Sequence, residues 1–115
     1  SEAPPTVSVL VAYVTLKNNS TKTASLISVS SPLFSSIEIH RSIVKDDVAS
    51  MERHSSLTIP AKSTIKLLPG DYHLMLFNPK IPLEIGDGPT LTFTFSNGVR
   101  IPVKAHVKKR KYNEH

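Results

Sequence analysis

The chain has 115 residues, about the length of one domain, and its 39% hydrophobic and 20% charged residues are typical of a globular protein. Cysteine is absent, which excludes disulfides, thiolate metal sites and cysteine nucleophiles. The longest apolar run, Val9–Val14, is far shorter than the roughly 20 residues that a membrane-spanning helix needs. The net charge of +5 comes from the end of the chain, because residues 1–103 carry nine basic and eight acidic residues.

Alternating apolar and polar residues predict about eight mostly antiparallel strands and no helix. Asn97-Gly98 predicts a hairpin turn with positive φ at both residues, and Pro102 predicts an edge strand or a bulge. We therefore expect an all-β sandwich or Greek-key barrel. The predicted strands are Ser8–Lys17, Ala24–Ser30, Ser36–Val44, a short one near Met51, Ser63–Leu68, Tyr72–Phe77, Thr90–Ser96 and Val99–Val107.

The composition indicates a single β domain over residues 1–107 and a basic, flexible tail over residues 108–115. The tail is either a solvated terminus or a docking segment for an acidic partner, nucleic acid or anionic lipid. Nucleic-acid binding is disfavoured because aromatic residues make up 6% of the chain, and Phe93 and Phe95 fall on a predicted core face. The polar start Ser1–Pro5 lacks the features of a signal peptide and is typical of a processed, exported protein.

Patterns that indicate catalysis are missing from the sequence. There is no Gly-x-Ser-x-Gly elbow, and the four glycines form no phosphate-binding loop. The paired carboxylates Asp46-Asp47 lie at a predicted turn, where aspartate is common for local hydrogen bonding. We therefore expect that the protein is not an enzyme.

The two methionines have histidines close by in the sequence. His73 and Met75 project to the same face of a predicted strand, with Cα atoms about 7 Å apart. Met51 lies between His40 and His54, either of which could join it. Imidazole and thioether donors without thiolates favour Cu(I). In the alternative interpretation, the methionines fill core gaps and the histidines are half-buried polar residues.

The spacing of His40, Met51, His73 and Met75 reads H-x10-M-x21-H-x-M. This motif, together with the segment Leu68–Leu76 and with matching context over roughly residues 10–105, resembles the periplasmic copper chaperones of the PCuAC type. The resemblance implies a cupredoxin-like Greek-key barrel that binds one Cu(I). The ligands it implies are His40, Met51, His73 and Met75, which would leave His54 on a solvated loop.

The resemblance also implies a monomeric periplasmic carrier that hands Cu(I) by ligand exchange to an acceptor. The acceptor would be a cytochrome oxidase subunit or a thiol-bearing copper chaperone, in assembly of the dinuclear copper centre of the oxidase. Some members have tails that bind Cu(II), and here only His106 and His115 lie near the C-terminus. A second, weaker site for Cu(II) near these two histidines is therefore kept as an alternative.

The rival interpretation is a β-sandwich module for adhesion or binding that holds no metal. It places His40 and His73 on the surface and the methionines in the core. Competition with a Cu(I) chelator separates the two hypotheses, because the rival predicts no stoichiometric copper binding.

Overall fold

The structure is a computed structural model that describes residues 9–68, 70–83 and 88–109. Within these ranges the chain forms ten strands and no helix. These ranges therefore contain no helix that could cross a membrane. The strands are β1 (Val9–Asn18), β2 (Ala24–Ser30), β3 (Phe34–Lys45), β4 (Val48–His54), β5 (Leu57–Ile59), β6 (Ser63–Leu67), β7 (Tyr72–Pro79), β8 (Thr90–Phe95), β9 (Arg100–Lys104) and β10 (His106–Lys109).

The strands form two antiparallel sheets that enclose the hydrophobic core. One sheet has the order β10-β1-β7-β3-β4, with β6 paired to the second half of β1, and the other has the order β5-β2-β8-β9. Leu26 and Phe93 from one sheet and Leu74 from the other are completely buried in this core. The predicted all-β, cupredoxin-like fold class is confirmed.

The last predicted strand, Val99–Val107, is in fact two strands in different sheets. β9 pairs with β8, whereas β10 pairs with β1. The chain changes sheet at Ala105, which is buried and whose N–H donates to the carbonyl of Pro89 at 3.0 Å. β9 is an edge strand, as Pro102 predicts. The short strand β5 was not predicted.

The turn at Asn97-Gly98 differs from the predicted geometry. Only Gly98 has a positive φ, of 90°, so the prediction of two positive angles is wrong. The Phe95 N–H donates to the Val99 carbonyl, and the Gly98 N–H donates to the Phe95 carbonyl. These bonds close a three-residue loop, in which a single left-handed glycine is sufficient.

The hairpin of β3 and β4 has a two-residue turn that fixes its register. Asp46 and Asp47 have φ angles of 52° and 63°, and Lys45 pairs with Val48. Two left-handed residues match the twist of a tight hairpin, and aspartate tolerates this conformation better than most side chains. The register then places Met51 directly opposite Ser42.

The division into a domain over residues 1–107 and a tail over residues 108–115 stays a prediction. The backbone of β10 continues to Lys109, and residues 110–115 lie outside the described residues.

Candidate metal centre

Strand register brings the four predicted ligands to one face of the larger sheet. His40 on β3 lies directly opposite His73 on β7, and Met75 lies opposite Glu38, which shares a face with His40. Met51 on β4 lies opposite Ser42, which is on the same face of β3. Residues directly opposite each other in an antiparallel ladder project to the same side. All four side chains therefore project from one surface.

That surface is the outer face of the sheet. The residues that alternate with the predicted ligands, Ile39, Leu74 and Leu76, belong to the core between the sheets. Met75 is 2% exposed but is not part of that core cluster. The alternation of β7 therefore separates a packing face from a chemical face, as the sequence predicts.

Two short distances join three of the four side chains. The His73 Nε2 lies 3.3 Å from the Met51 Sδ, although β3 runs between their strands. The His40 and His73 ring centroids are 6.1 Å apart, with the ring planes tilted by 43°. Met75 is placed by register alone, two residues along β7 from His73 and diagonal to His40.

Ser42 explains how Met51 can reach across a strand. Neighbouring strands are about 4.8 Å apart, so β4 and β7 are separated by roughly 10 Å. The side chain opposite Met51 on the intervening strand is the small hydroxymethyl group of Ser42. A large side chain at this position would occupy the space across which the thioether approaches His73.

The hydrogen bonding of His73 leaves a lone pair directed at Met51. The Nδ1 lies 2.9 Å from the carbonyl oxygen of Asp71. A carbonyl only accepts hydrogen bonds, so Nδ1 carries the proton and, in the neutral ring, Nε2 has only a lone pair. The Met51 sulfur is likewise an acceptor. A cation bound between these two acceptors, which lie 3.3 Å apart, would be attracted by a lone pair of each.

His40 has a similar unpaired nitrogen. Its Nε2 lies 2.9 Å from the Glu38 Oε1 and donates to that carboxylate. Its Nδ1 is buried and has no hydrogen-bond partner in the part of the chain that the structure describes. An unsatisfied buried polar atom costs about 1–3 kcal/mol. A metal bond to this nitrogen would remove that cost.

The distances fit one ion bound between these groups. Bonds of about 2.3 Å to sulfur and 2.0 Å to imidazole nitrogen, at a tetrahedral angle, separate the two donors by about 3.5 Å. With the same nitrogen bonds, the centroids of two rings that share one ion are about 5–6 Å apart. The observed 3.3 Å and 6.1 Å lie close to these values.

Exposure differs strongly among the four side chains. Met75 and His73 are almost completely buried, at 2% and 4% exposure, and the His40 side chain is 15% exposed. Met51 is 38% exposed and lies on β4, the edge strand of its sheet. The site is therefore closed on the β7 side and open to solvent at Met51.

The neighbourhood of the site contains an aromatic ring and an ion pair. The Phe77 ring centroid is 6.5 Å from that of His40, on the same face of the sheet. The Glu38 Oε1 also lies 3.8 Å from the Arg53 Nε, and Arg53 is directly opposite His40 on β4. Phe77 therefore packs beside His40 on this face. Tyr72, at the other end of the His-x-Met segment, alternates onto the other face and packs against the core.

His54, the alternative ligand, lies on the opposite face of the sheet. It is the last residue of β4 and pairs with Ile39, so the prediction that it lies on a solvated loop is wrong. Its Nε2 lies 2.9 Å from the Glu52 Oε1, and its ring packs edge-on against Tyr72 at 5.1 Å. The strand continues to His54 because its backbone completes the ladder with β3. This position keeps His54 away from Met51.

Other metal-binding groups do not gather in the described residues. No group of three or more histidine, cysteine, aspartate or glutamate side chains there could hold an ion. His106 is exposed on β10, opposite Tyr13, and His115 lies outside the described residues. A groove of about 310 Å³ opens between the sheets and is lined by residues such as Leu16, Phe95 and Ile101, without any of the four predicted ligands.

Comparison with protein families matches residues 1–107 to a family described as "Putative lipoprotein LpqE-like". This match covers most of the chain. The chain belongs to the LpqE-like family. It is 38% identical over 98 residues to "Putative lipoprotein Lxx21020" of Leifsonia xyli, and 32% identical over 96 residues to "Uncharacterized protein RP573" of Rickettsia prowazekii. These alignments cover 84% and 83% of the LpqE-like chain, which spans 59% and 53% of the two relatives.

Solved structures with the same fold include PCuAC domains. The copper-bound PCuAC domain from PmoF2 superposes with a TM-score of 0.70 at 20% identity, over 90% of the LpqE-like chain and 80% of that domain. Apo-DR1885 from Deinococcus radiodurans gives 0.61 at 29% identity, over 97% and 74%. The family match and these structures confirm the resemblance to the PCuAC type that the motif predicts. At 20% identity, the similarity to the PmoF2 domain shows a shared fold and nothing further.

Sequence reasoning missed three features of the site in the LpqE-like chain. Glu38 contacts His40, the carbonyl of Asp71 contacts His73, and Ser42 leaves space for Met51. Glu38 and Asp71 each precede their histidine by two residues on or next to the same strand. That spacing was visible in the sequence, whereas the role of Ser42 depends on the pairing of three strands.

Proposed function

We propose that this chain is a copper carrier that binds one Cu(I) through His40, Met51, His73 and Met75. The observation that carries the proposal is the approach of the His73 Nε2 to the Met51 Sδ at 3.3 Å. Both atoms are acceptors in the tautomer that Asp71 selects, so a cation between them supplies the missing attraction. The partnerless Nδ1 of His40 on the same face supports the same conclusion.

The donor set selects the metal. Thioethers are soft, neutral donors that favour Cu(I), whereas zinc prefers thiolate, imidazole or carboxylate, and calcium requires oxygen. The absence of cysteine from the chain argues against a blue-copper electron-transfer centre. Four neutral donors leave the ion with its single positive charge, which the nearby Glu38 carboxylate stabilises.

The relatives support this role and its location. The copper-bound state of the PmoF2 domain supports copper binding on this fold, and the lipoprotein description of the family supports an exported protein. We place the carrier in the periplasm, with an oxidase subunit or a thiol-bearing chaperone as acceptor in assembly of the dinuclear copper centre. Because the chain spans little more than half of its curated relatives, the partners of the whole protein belong to the proposal.

Handover begins at Met51 in this account. Met51 is the most exposed of the four donors and lies on an edge strand, whereas His73 and Met75 are buried. A donor from the acceptor forms its bond to Cu(I) as the bond to the Met51 sulfur breaks, and the remaining donors follow. The oxidation state of copper does not change and no substrate bond is broken, so the protein acts as a carrier and not as an enzyme.

A competition titration tests the proposal. The copper-free protein is mixed under anaerobic conditions with a chromophoric Cu(I) chelator, and copper withdrawn from the chelator is measured by absorbance. We expect the wild type to take one Cu(I) per chain and the His73→Ala variant to take none at the same chelator concentration. Urea unfolding of both proteins checks that the variant is folded.

His54→Ala is the matched control, because His54 lies on β4 like Met51 but projects from the opposite face of the sheet. We expect it to bind Cu(I) like the wild type. A wild type that withdraws no copper, or a folded His73→Ala variant that binds with unchanged affinity, would contradict the proposal. An equal loss of binding in His54→Ala would also contradict the proposal, because it would place the site on the opposite face of the sheet from the four proposed ligands.

A further inference from the structure

Glu38 lies on the metal-binding face and is not one of the four predicted ligands. It precedes His40 by two residues on β3 and lies directly opposite Met75 on β7. Its Oε1 accepts from the His40 Nε2 at 2.9 Å and lies 3.8 Å from the Arg53 Nε. Its side chain is 24% exposed, so the carboxylate is largely protected from competing water.

The bond to Glu38 decides which nitrogen of His40 has a free lone pair. An ionised carboxylate only accepts hydrogen bonds, so the Nε2 of His40 must carry the proton. The lone pair of the neutral ring is then on Nδ1, which is the buried atom without a partner. At His73 the assignment is reversed, because the Asp71 carbonyl holds the proton on Nδ1 and leaves the lone pair on Nε2.

We infer that Glu38 is a positioning residue that fixes the tautomer and orientation of His40, so that His40 binds copper through Nδ1 and His73 through Nε2. This inference rests on the proposed function for the metal bonds but not for the tautomers, which follow from the hydrogen bonds of the two rings. Acceptors that hold the second ring nitrogen of a metal-binding histidine fix its tautomer and raise its basicity. The Arg53 Nε, 3.8 Å from the same oxygen, orients the Glu38 carboxylate toward β4.

The chain contains a matched control for this inference. Glu52 and His54 on β4 repeat the arrangement, with the same two-residue spacing and the same 2.9 Å between Oε1 and Nε2. This second pair lies on the opposite face of the sheet, away from Met51 and His73. Removing Glu52 therefore removes a glutamate–histidine bond without touching the proposed site.

The first measurement uses long-range ¹H–¹⁵N correlation spectra of the copper-free protein, recorded where the imidazoles are neutral. We expect His40 to be protonated on Nε2 and His73 on Nδ1 in the wild type. Glu38→Gln keeps a carbonyl acceptor and should preserve the His40 tautomer, whereas Glu38→Ala should give a mixture of tautomers. A wild-type His40 protonated on Nδ1, or an unchanged spectrum in Glu38→Ala, overturns the inference.

The second measurement compares Cu(I) affinity by chelator competition. Loss of a residue that orients a metal ligand typically lowers affinity about 10–100-fold. We expect a loss of this size in Glu38→Ala, a smaller loss in Glu38→Gln and none in Glu52→Ala. Unchanged affinity in Glu38→Ala, or an equal loss in Glu52→Ala, contradicts the positioning role.

The nitrogen that binds the metal can be observed directly, because Cu(I) is diamagnetic and the loaded protein gives sharp spectra. On loading, we expect the large ¹⁵N shift changes at Nδ1 of His40 and Nε2 of His73. Binding through Nε2 of His40 would overturn the inference and leave the carrier function intact. A wild type that takes up no Cu(I) would contradict the carrier proposal. The tautomer measurement would still show whether Glu38 fixes the tautomer of His40.

Discussion

Replacing each methionine with leucine separates copper binding from stability. Leucine has a similar volume but no sulfur, and volume-conserving swaps in a core cost less than about 1.5 kcal/mol. Met75 is 2% exposed, so Met75→Leu should lower the free energy of unfolding by less than this amount. For a domain of this size, that corresponds to a fall in Tm of less than about 6 °C. Met51 is 38% exposed on an edge strand, so Met51→Leu should change stability by about 0.5 kcal/mol or less.

The copper affinity should respond differently. Each variant loses one of the four proposed donors, and we expect Cu(I) affinity to fall at least about 100-fold, the upper end of what loss of a merely orienting residue causes. Chelator competition measures this fall, and thermal unfolding without metal measures stability. Alanine is unsuitable at Met75, because truncation of a buried methionine costs about 2–5 kcal/mol.

The two leucine variants together test the reasoning. The account requires a large loss of affinity in Met51→Leu, although that substitution hardly changes stability. If Met51→Leu binds Cu(I) as tightly as the wild type, Met51 is not a donor. If affinity follows stability in both variants, the methionines act only through packing.

Three further substitutions have defined outcomes. Ser42→Leu places a large side chain where the Met51 side chain crosses β3, so Cu(I) affinity, measured by chelator competition, should fall. Stability, measured by urea unfolding, should not fall to match. Phe93→Ala removes a completely buried ring and should cost about 3–5 kcal/mol in urea unfolding, while copper affinity of the folded fraction stays unchanged. Gly98→Ala puts a Cβ at φ 90° and should lower stability by roughly 1 kcal/mol or more, and equal stability in thermal unfolding would show that the turn relaxes.

Local patterns were sufficient to predict the fold class and the two faces of β7. The alternation His73-Leu74-Met75-Leu76 already separates a chemical face from a packing face, because strand side chains alternate. The boundary between β9 and β10 was not predictable in this way. Apolar residues remain in phase on both sides of Ala105, so the change of sheet leaves no break in the pattern.

The site could be predicted only in part, because its geometry depends on pairing between strands that are distant in sequence. The motif names four residues, but the contact of His73 with Met51 needs the register of β3 with both β4 and β7. The tight turn at Asp46-Asp47 sets the first of these registers. The exclusion of His54 also follows from register, since a shift of one residue would move it to the face that carries His40 and Met51.

X-ray absorption spectroscopy of the Cu(I)-loaded wild type tests the central claim most directly, because it counts the atoms bound to copper. The account predicts two sulfur neighbours at about 2.3 Å and two imidazole nitrogens at about 2.0 Å. A spectrum that requires only nitrogen or oxygen neighbours would contradict it, because the thioethers of Met51 and Met75 would then not bind the metal.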